Sequence, residues 1–149
     1  MRCKSRMWML AMPAMLVMGM SAQAQPSAVC MPQDPPSVIS GGVGETELQA
    51  LREVESGHNL KLVFTLEGGQ FVTDVDVEIS GAASDHILRH RARGPWLLAC
   101  LPPGAYTVFV EYEALRQSRT LTVGKGLRTE YFRWPAGPDD VVLKPEPRS

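Results

Sequence analysis

Charged side chains at every second position mark two neighbouring stretches of the chain and could bind ions or charged ligands. The two sets are Asp74, Asp76 and Glu78, followed by Arg89, Arg91 and Arg93. Residues on the same side of a strand are ~6.8 Å apart, so the three carboxylates are too widely spaced to enclose one calcium ion. The three arginines could contact an anionic glycan or a lipid headgroup, which makes them the candidate ligand-binding residues.

A hairpin between the two stretches offers a second interpretation of the same charges. If the chain turns about residues 83–84, the facing pairs are Asp74 with Arg93, Asp76 with Arg91, Glu78 with Arg89, and Ile79 with Leu88 on the core side. Opposite charges that face each other across strands contribute ~0.2–1 kcal/mol per pair, and less where solvent screens them. We therefore predict a ladder of ion pairs, with ligand binding by the arginines as the alternative.

Histidines and serines in this region do not have the spacing of a metal site or a catalytic site. His86 and His90 are four residues apart, which on a strand separates them by ~13 Å, too far to share one ion. Ser84, Asp85 and His86 are consecutive, whereas the members of a catalytic triad meet in space from separate parts of the chain. The sequence therefore predicts no catalytic residue, no metal and no cofactor.

The elements that hold these residues are predicted by apolar residues at every second position. Seven short strands are expected at 60–66, 75–79, 86–93, 96–101, 106–112, 119–123 and 129–134. No helix long enough to connect parallel strands lies between them, and such spacing is typical of an antiparallel sandwich of the immunoglobulin-like type. An all-β fold with seven strands follows, as a domain at residues 58–134.

The residues before and after this domain differ in composition. Residues 25–43 are rich in Pro, Ser and Gly, which predicts an extended lead-in. Residues 44–57 carry leucines at helical spacing, which predicts one short amphipathic helix. Residues 135–149 are rich in Pro and charge and predict a flexible tail.

Residues 1–24 have the pattern of a cleaved export signal. Basic residues precede the apolar run from Met7 to Met20, and Ala22-Gln23-Ala24 is a small-x-small cleavage site. Cleavage after Ala24 would leave a periplasmic or secreted protein without a stable membrane anchor. Three basic residues would leave with the leader, so the mature net charge of about −4 argues against nucleic acid as a partner.

Two cysteines remain after cleavage, Cys30 and Cys100. An oxidising compartment favours a disulfide between them, and closing a loop of this length could contribute ~4 kcal/mol in the chain-entropy model. The alternative is a pair of independent thiols, with Cys100 packed as a small buried residue.

The strand at 96–101 is apolar on both faces, although a two-layer sandwich buries only one face of each sheet. With Trp96 and Leu98 facing the core, Leu97 on the same strand and Phe109 on the next one need a cover. The amphipathic segment at 44–57 could supply it. Otherwise Leu97 and Phe109 form a patch on which a partner protein docks.

Three stretches resemble the carboxypeptidase regulatory-like domain, a seven-stranded transthyretin-like (prealbumin-like) sandwich. They are residues 69–77, residues 94–98 and the segment Leu101-Pro102-Pro103-Gly104-Ala105-Tyr106-Thr107-Val108. The resemblance covers about residues 59–134, and the Ser40–Glu45 leader joined to it is similar to small exported bacterial proteins. It implies a non-catalytic module with a structural or protein-binding role in the cell envelope, or a binding module for an anionic glycan or lipid headgroup.

One enzyme family shares this broad architecture, the transthyretin-like hydroxyisourate hydrolases. Its members end in a Tyr-Arg-Gly-Ser signature, whereas this chain ends in Lys144-Pro145-Glu146-Pro147-Arg148-Ser149. The resemblance therefore does not extend to that enzyme's chemistry, and we expect a module that is not an enzyme.

Overall fold

A computed structural model of the chain describes residues 30–82 and 84–137, without the side chains of residues 84–86. The predicted export signal, its cleavage after Ala24 and most of the predicted tail lie outside the described residues. Among the described residues, no helix has the length and apolar character needed to cross a membrane.

Eight strands and one short α-helix make up the described chain. In order they are β1 (Ser37–Gly41), α1 (Glu45–Val54), β2 (Leu60–Leu66), β3 (Val75–Gly81), β4 (Ser84–Ala92), β5 (Trp96–Cys100), β6 (Gly104–Tyr112), β7 (Leu115–Val123) and β8 (Arg128–Trp134), with a short 3-10 turn at Glu55–Gly57 after the helix. All seven predicted strands are present, and the predicted helix occupies Glu45–Val54.

The strands form two four-stranded sheets packed as a β-sandwich. The first sheet has the order β1-β5-β2-β8 and the second has the order β4-β3-β6-β7. All pairs are antiparallel except β2 with β8, which run parallel. The prediction of seven strands was wrong by one, because β1 lies inside the segment expected to be an extended lead-in. Only Val38 and Ile39 are apolar in that strand, and its pairing with β5 was not visible in so short a pattern.

The core lies between the inner faces of the two sheets and follows the predicted alternation. Leu60, Leu62 and Phe64 of β2 face it, as expected. On β5 the predicted faces were wrong, because Leu97 is fully buried in the core while Leu98 lies on the outer side. Since both sides of β5 are apolar, the alternation does not decide which side turns inward. Leu97 therefore cannot belong to a surface patch.

Helix α1 covers part of the outer face of the first sheet. Leu51 of the helix is buried, and the guanidinium of Arg52 lies 5.7 Å from the ring centre of Trp96. Lys61 of β2 places its Nζ atom 3.4 Å from the same ring centre and 2.7 Å from the Oε1 atom of Glu55. The prediction that this helix covers Leu97 and Phe109 is therefore wrong: the helix lies over the side of β5 that carries Trp96, Leu97 lies in the core, and Phe109 belongs to the second sheet.

The Pro-Pro-Gly turn between β5 and β6 is held by two side chains. The hydroxyl of Tyr106 donates a hydrogen bond to the carbonyl of Pro102, four residues earlier. The buried amide of Asn59 accepts a bond from the Leu101 N–H at 2.9 Å and donates to the carbonyls of Leu101 and Gly124. These bonds satisfy backbone groups that no strand partner satisfies.

A disulfide joins Cys30 to Cys100, across 70 residues of chain. It ties the segment before β1 to the end of β5, with the two Cα atoms 5.6 Å apart. The predicted pairing is confirmed, and independent thiols are excluded in this structure.

Candidate functional site

The outer side of the second sheet, here called the open face, carries the predicted ladder of charges. Strand β3 pairs with β4 in the expected register, with Asp76 opposite Arg91 and Glu78 opposite Arg89. The Arg89 and Glu78 side chains approach to 3.2 Å, and those of Arg91 and Asp76 to 3.9 Å. This part of the ladder is confirmed. Because the side chains of Arg89 and Arg91 are 74% and 63% exposed, each pair contributes little to stability.

The outermost predicted pair, Asp74 with Arg93, does not form. Asp74 precedes β3 and has a φ of 60°, so it leaves the strand geometry on which the register prediction relied. Its carboxylate lies 3.4 Å from the Arg91 guanidinium. Arg93 follows the end of β4 and lies at the edge of the sandwich beside Ser40. The three arginines therefore do not act as one set.

A groove of about 280 Å³ runs along the open face. Its walls combine acidic, basic and aromatic side chains: Asp76, Glu78, Arg89, Phe109, Glu111 and Arg116. Phe109 is half-buried in the groove, with the Arg116 guanidinium 4.8 Å from its ring centre. The same guanidinium lies 3.7 Å from Glu78. Such groups can contact peptide, charged and apolar groups of a ligand together.

Two of these groove residues, Glu111 and Arg116, were not among the sequence-based candidates. They face each other across the β6–β7 hairpin, and β3 brings Asp76 next to Glu111 from the other side. A hairpin register drawn from the Tyr112–Leu115 turn would have paired them. Strands β3 and β6 are separated by two other strands in the chain. Only their pairing in the sheet brings Glu111 and Arg116 close to Arg89.

Among the described residues, α1 is the only α-helix, and it lies on the first sheet. On the open face of the second sheet the described side chains are largely exposed, with Arg116 at 56%. Of the predicted partner patch, Phe109 lies on this face, whereas Leu97 lies in the core.

A separate polar contact lies where β1 and β4 meet at one edge of the sandwich. The Oγ atom of Ser40 is 2.9 Å from the Nε2 atom of His90, and it accepts a bond from the Arg93 N–H at 3.3 Å. Burial lowers the pKa of His90, and the positive charge of Arg93 lowers this pKa further. The neutral ring can therefore accept a hydrogen bond from the Ser40 hydroxyl at Nε2.

The described residues hold no group of three or more His, Cys, Asp and Glu side chains close enough to bind one metal ion. His90 lies on the inner side of β4, opposite the core residue Val77. The His86 side chain lies outside the described part of the structure, so only its position on β4 is known.

Comparison of the chain with models of known protein families and with curated proteins finds no match.

Proposed function

We propose that this protein is an exported, non-catalytic β-sandwich module of the carboxypeptidase regulatory-like, transthyretin-like type, and that it binds a partner protein in the cell envelope. The export pattern of residues 1–24 supports the location. The Cys30–Cys100 disulfide agrees with it, because disulfides persist in oxidising compartments. The two packed four-stranded sheets are compatible with the proposed type.

The observation that carries the binding role is the unequal covering of the two sheets. The first sheet is covered by its own helix through Leu51 and the Trp96 cluster. The open face of the second sheet carries a groove with an aromatic ring and an arginine at its centre, Phe109 and Arg116. Aromatic and arginine side chains are enriched at protein–protein interfaces.

The charges of the groove favour a protein over an anionic glycan or a lipid headgroup. Arg89 and Arg91 each lie beside a carboxylate of β3, so a glycan or headgroup that carries only negative charge would meet both signs of charge on this face. Arg93 lies outside the ladder, beside Ser40. A protein surface can offer both signs of charge to the alternating rows, together with an apolar group for Phe109.

Site-specific photo-crosslinking in the native cell tests this role. Phe109 is replaced by p-benzoylphenylalanine, and the matched control carries the same residue in place of Gln49, which is exposed on α1 on the opposite side of the sandwich. We expect a discrete protein adduct from position 109 and not from position 49. The adduct should weaken when Arg116→Glu is added, because this change reverses the charge beside the ring.

Three other results would argue against the proposal. Equal adducts from both positions would mean non-specific contact, and adducts from position 49 only would move the interface to the helix. If no protein adduct forms, and the purified protein binds anionic vesicles or heparin in a way that is lost on Arg89→Ala and Arg91→Ala, the anionic-ligand function replaces this one.

A further inference from the structure

We propose that the free edge of β4 accepts an extended, acidic segment of the partner protein as an added strand of the second sheet. The inference rests on the proposed protein-binding role and specifies the chemistry of the partner. It concerns the backbone edge of the sheet, whereas the crosslinking experiment probes the groove on the open face.

Strand β4 is the last strand of its sheet and pairs with β3 only, within the described residues. The Arg93 N–H, just beyond the end of β4, points away from β3 and donates to Ser40. Backbone groups of a strand point to alternate sides. The N–H and C=O groups of Arg91 and Arg89 therefore point to the same free side, where an added strand would find its hydrogen-bond partners.

Among the described residues, side chains join β7 to β8 at more points than they join β4 to β1, so β4 is the more accessible edge of this sheet. Two side chains of β8 donate to β7 backbone carbonyls, Trp134 to Leu115 at 3.0 Å and Arg128 to Thr122 at 3.3 Å. In the other direction, Gln117 of β7 donates to the Arg133 carbonyl of β8 at 2.7 Å. Arg119 and Glu130 add an ion pair at 3.2 Å between the same two strands. At β4, the hydrogen bonds with β1 that the described residues form lie at the end near His90 and Arg93.

The side chains of β4 select the chemistry of the added strand. Arg89 and Arg91 point outward at alternate positions and remain largely exposed. A strand at the free edge would place every second side chain beside them, so carboxylates there gain cross-strand ion pairs. The residues between would face inward beside Leu88 and His90, and apolar groups are favoured at the Leu88 end.

The chain already contains a strand with this pattern, on the other side of β4. Strand β3 alternates carboxylates with core residues in the order Asp76-Val77-Glu78-Ile79, and each carboxylate lies opposite an arginine. A second segment of the same type fits the free edge by the same pairing. In the register centred on residue 90, antiparallel pairing of two β4 strands would bring Arg89 opposite Arg91, which disfavours a second copy of this chain there.

The test uses a peptide with the sequence of residues 73–80 as the probe, titrated into the isotopically labelled protein and followed by amide resonances and hydrogen exchange. We expect shifts along β4 and slower exchange at the Arg89 and Arg91 amides, because their N–H groups gain acceptors. A control peptide with Lys at each acidic position should bind at least about tenfold more weakly, because it brings like charges together.

Matched variants test whether Arg89 and Arg91 of β4 determine which peptide binds. Arg89→Glu with Arg91→Glu should weaken the acidic peptide at least about tenfold and strengthen the lysine peptide, whereas Arg133→Glu, at an exposed position on β8 of the other sheet, should change neither. If the double variant does not fold, as judged by its amide spectrum, Arg89→Gln with Arg91→Gln replaces it and should weaken the acidic peptide in the same direction.

Three outcomes would contradict strand addition at β4 but would not contradict the proposed protein-binding function. These are the absence of β4 shifts at millimolar peptide, equal binding of both peptides, or dimers of the protein with protected β4 amides. In each of these cases a Phe109 adduct in cells would still support binding through the open face. Conversely, specific peptide binding at β4 with no adduct from position 109 would support the edge and contradict the groove as the interface.

Discussion

The Nε2 atom of His90 lies 2.9 Å from the Oγ atom of Ser40, and this contact joins the edge strand of one sheet to the edge strand of the other. The Arg93 N–H donates to the same oxygen, so the Ser40 hydroxyl hydrogen is available to the imidazole. Burial and the nearby charge of Arg93 lower the pKa of His90. The neutral ring that this lowered pKa favours can accept the Ser40 hydroxyl hydrogen at Nε2.

Acidification should destabilise the protein through His90. The pKa in the folded state lies below the ordinary value of 6.5, so the unfolded chain binds more protons in the window below pH 6.5. The free energy of unfolding should fall as the pH drops through 6.5 toward the folded-state pKa. Urea unfolding at pH values from 8 to 5 measures this slope.

The control for this prediction is His90→Gln, which keeps a hydrogen-bonding group but does not titrate. Its unfolding free energy should change less between pH 7 and pH 5 than that of the unchanged protein. An equal change in the two proteins would assign the pH dependence to other groups.

Loss of the disulfide should lower stability substantially. Cys30→Ser with Cys100→Ser opens a loop of 70 residues, and the chain-entropy model gives a loss of about 4 kcal/mol in the free energy of unfolding. Denaturant unfolding with and without reductant measures it. Reductant should lower the unfolding free energy of the unchanged protein and leave that of the double variant unaffected. If reductant lowers both values equally, reduction of the disulfide is not the reason for the loss.

Gly94→Ala should be one of the most damaging small substitutions. A Cβ atom at this position would collide with the backbone of Gly41, so one of the two segments must shift, at a cost of about 2 kcal/mol or more. Gly126→Ala is the matched control, because a Cβ there meets nothing within 4 Å. Thermal unfolding of both variants should separate them clearly, and equal melting temperatures would contradict the close approach of Gly94 and Gly41.

Asn59→Ala should destabilise the two loops that Asn59 joins. The change leaves the buried Leu101 N–H without its acceptor and removes the donor to the Leu101 and Gly124 carbonyls. Unpaired buried groups cost about 1–3 kcal/mol each, so we expect a loss of about 3 kcal/mol in chemical unfolding. Gln49→Ala, on the exposed side of α1, should stay within about 0.5 kcal/mol of the unchanged protein. A similar small loss for Asn59→Ala would mean that water replaces the amide.

Alternation of apolar residues was enough to predict seven strands and the register of β3 with β4. Val77 and Ile79 must face the core, and this requirement also aligns Asp76 with Arg91 and Glu78 with Arg89. The same reasoning failed at Asp74, where a left-handed backbone ends the alternation. It also failed for β1, whose two apolar residues form too short a pattern to distinguish a strand from a loop.

The groove was only partly predictable for a different reason. Phe109 could be assigned to an outward side from its own strand, but Arg116 reaches it only through the β6–β7 pairing. Glu78 reaches both through the pairing of β3 with β6. Contacts between strands that are distant in the chain are not encoded in any local period.

The sequence by itself determined the local properties of this protein: the alternating strands, the short helix, the opposite charges of β3 and β4, and a pair of cysteines able to bond. Only the tertiary structure decided which side of β5 turns inward, which sheet is covered by the helix, and which strands lie at the sheet edges among the described residues. It also brought Ser40 within 2.9 Å of His90, a residue 50 positions away. The physical reason is that side-chain period is a property of the local backbone, whereas faces and edges are assigned by packing between distant elements.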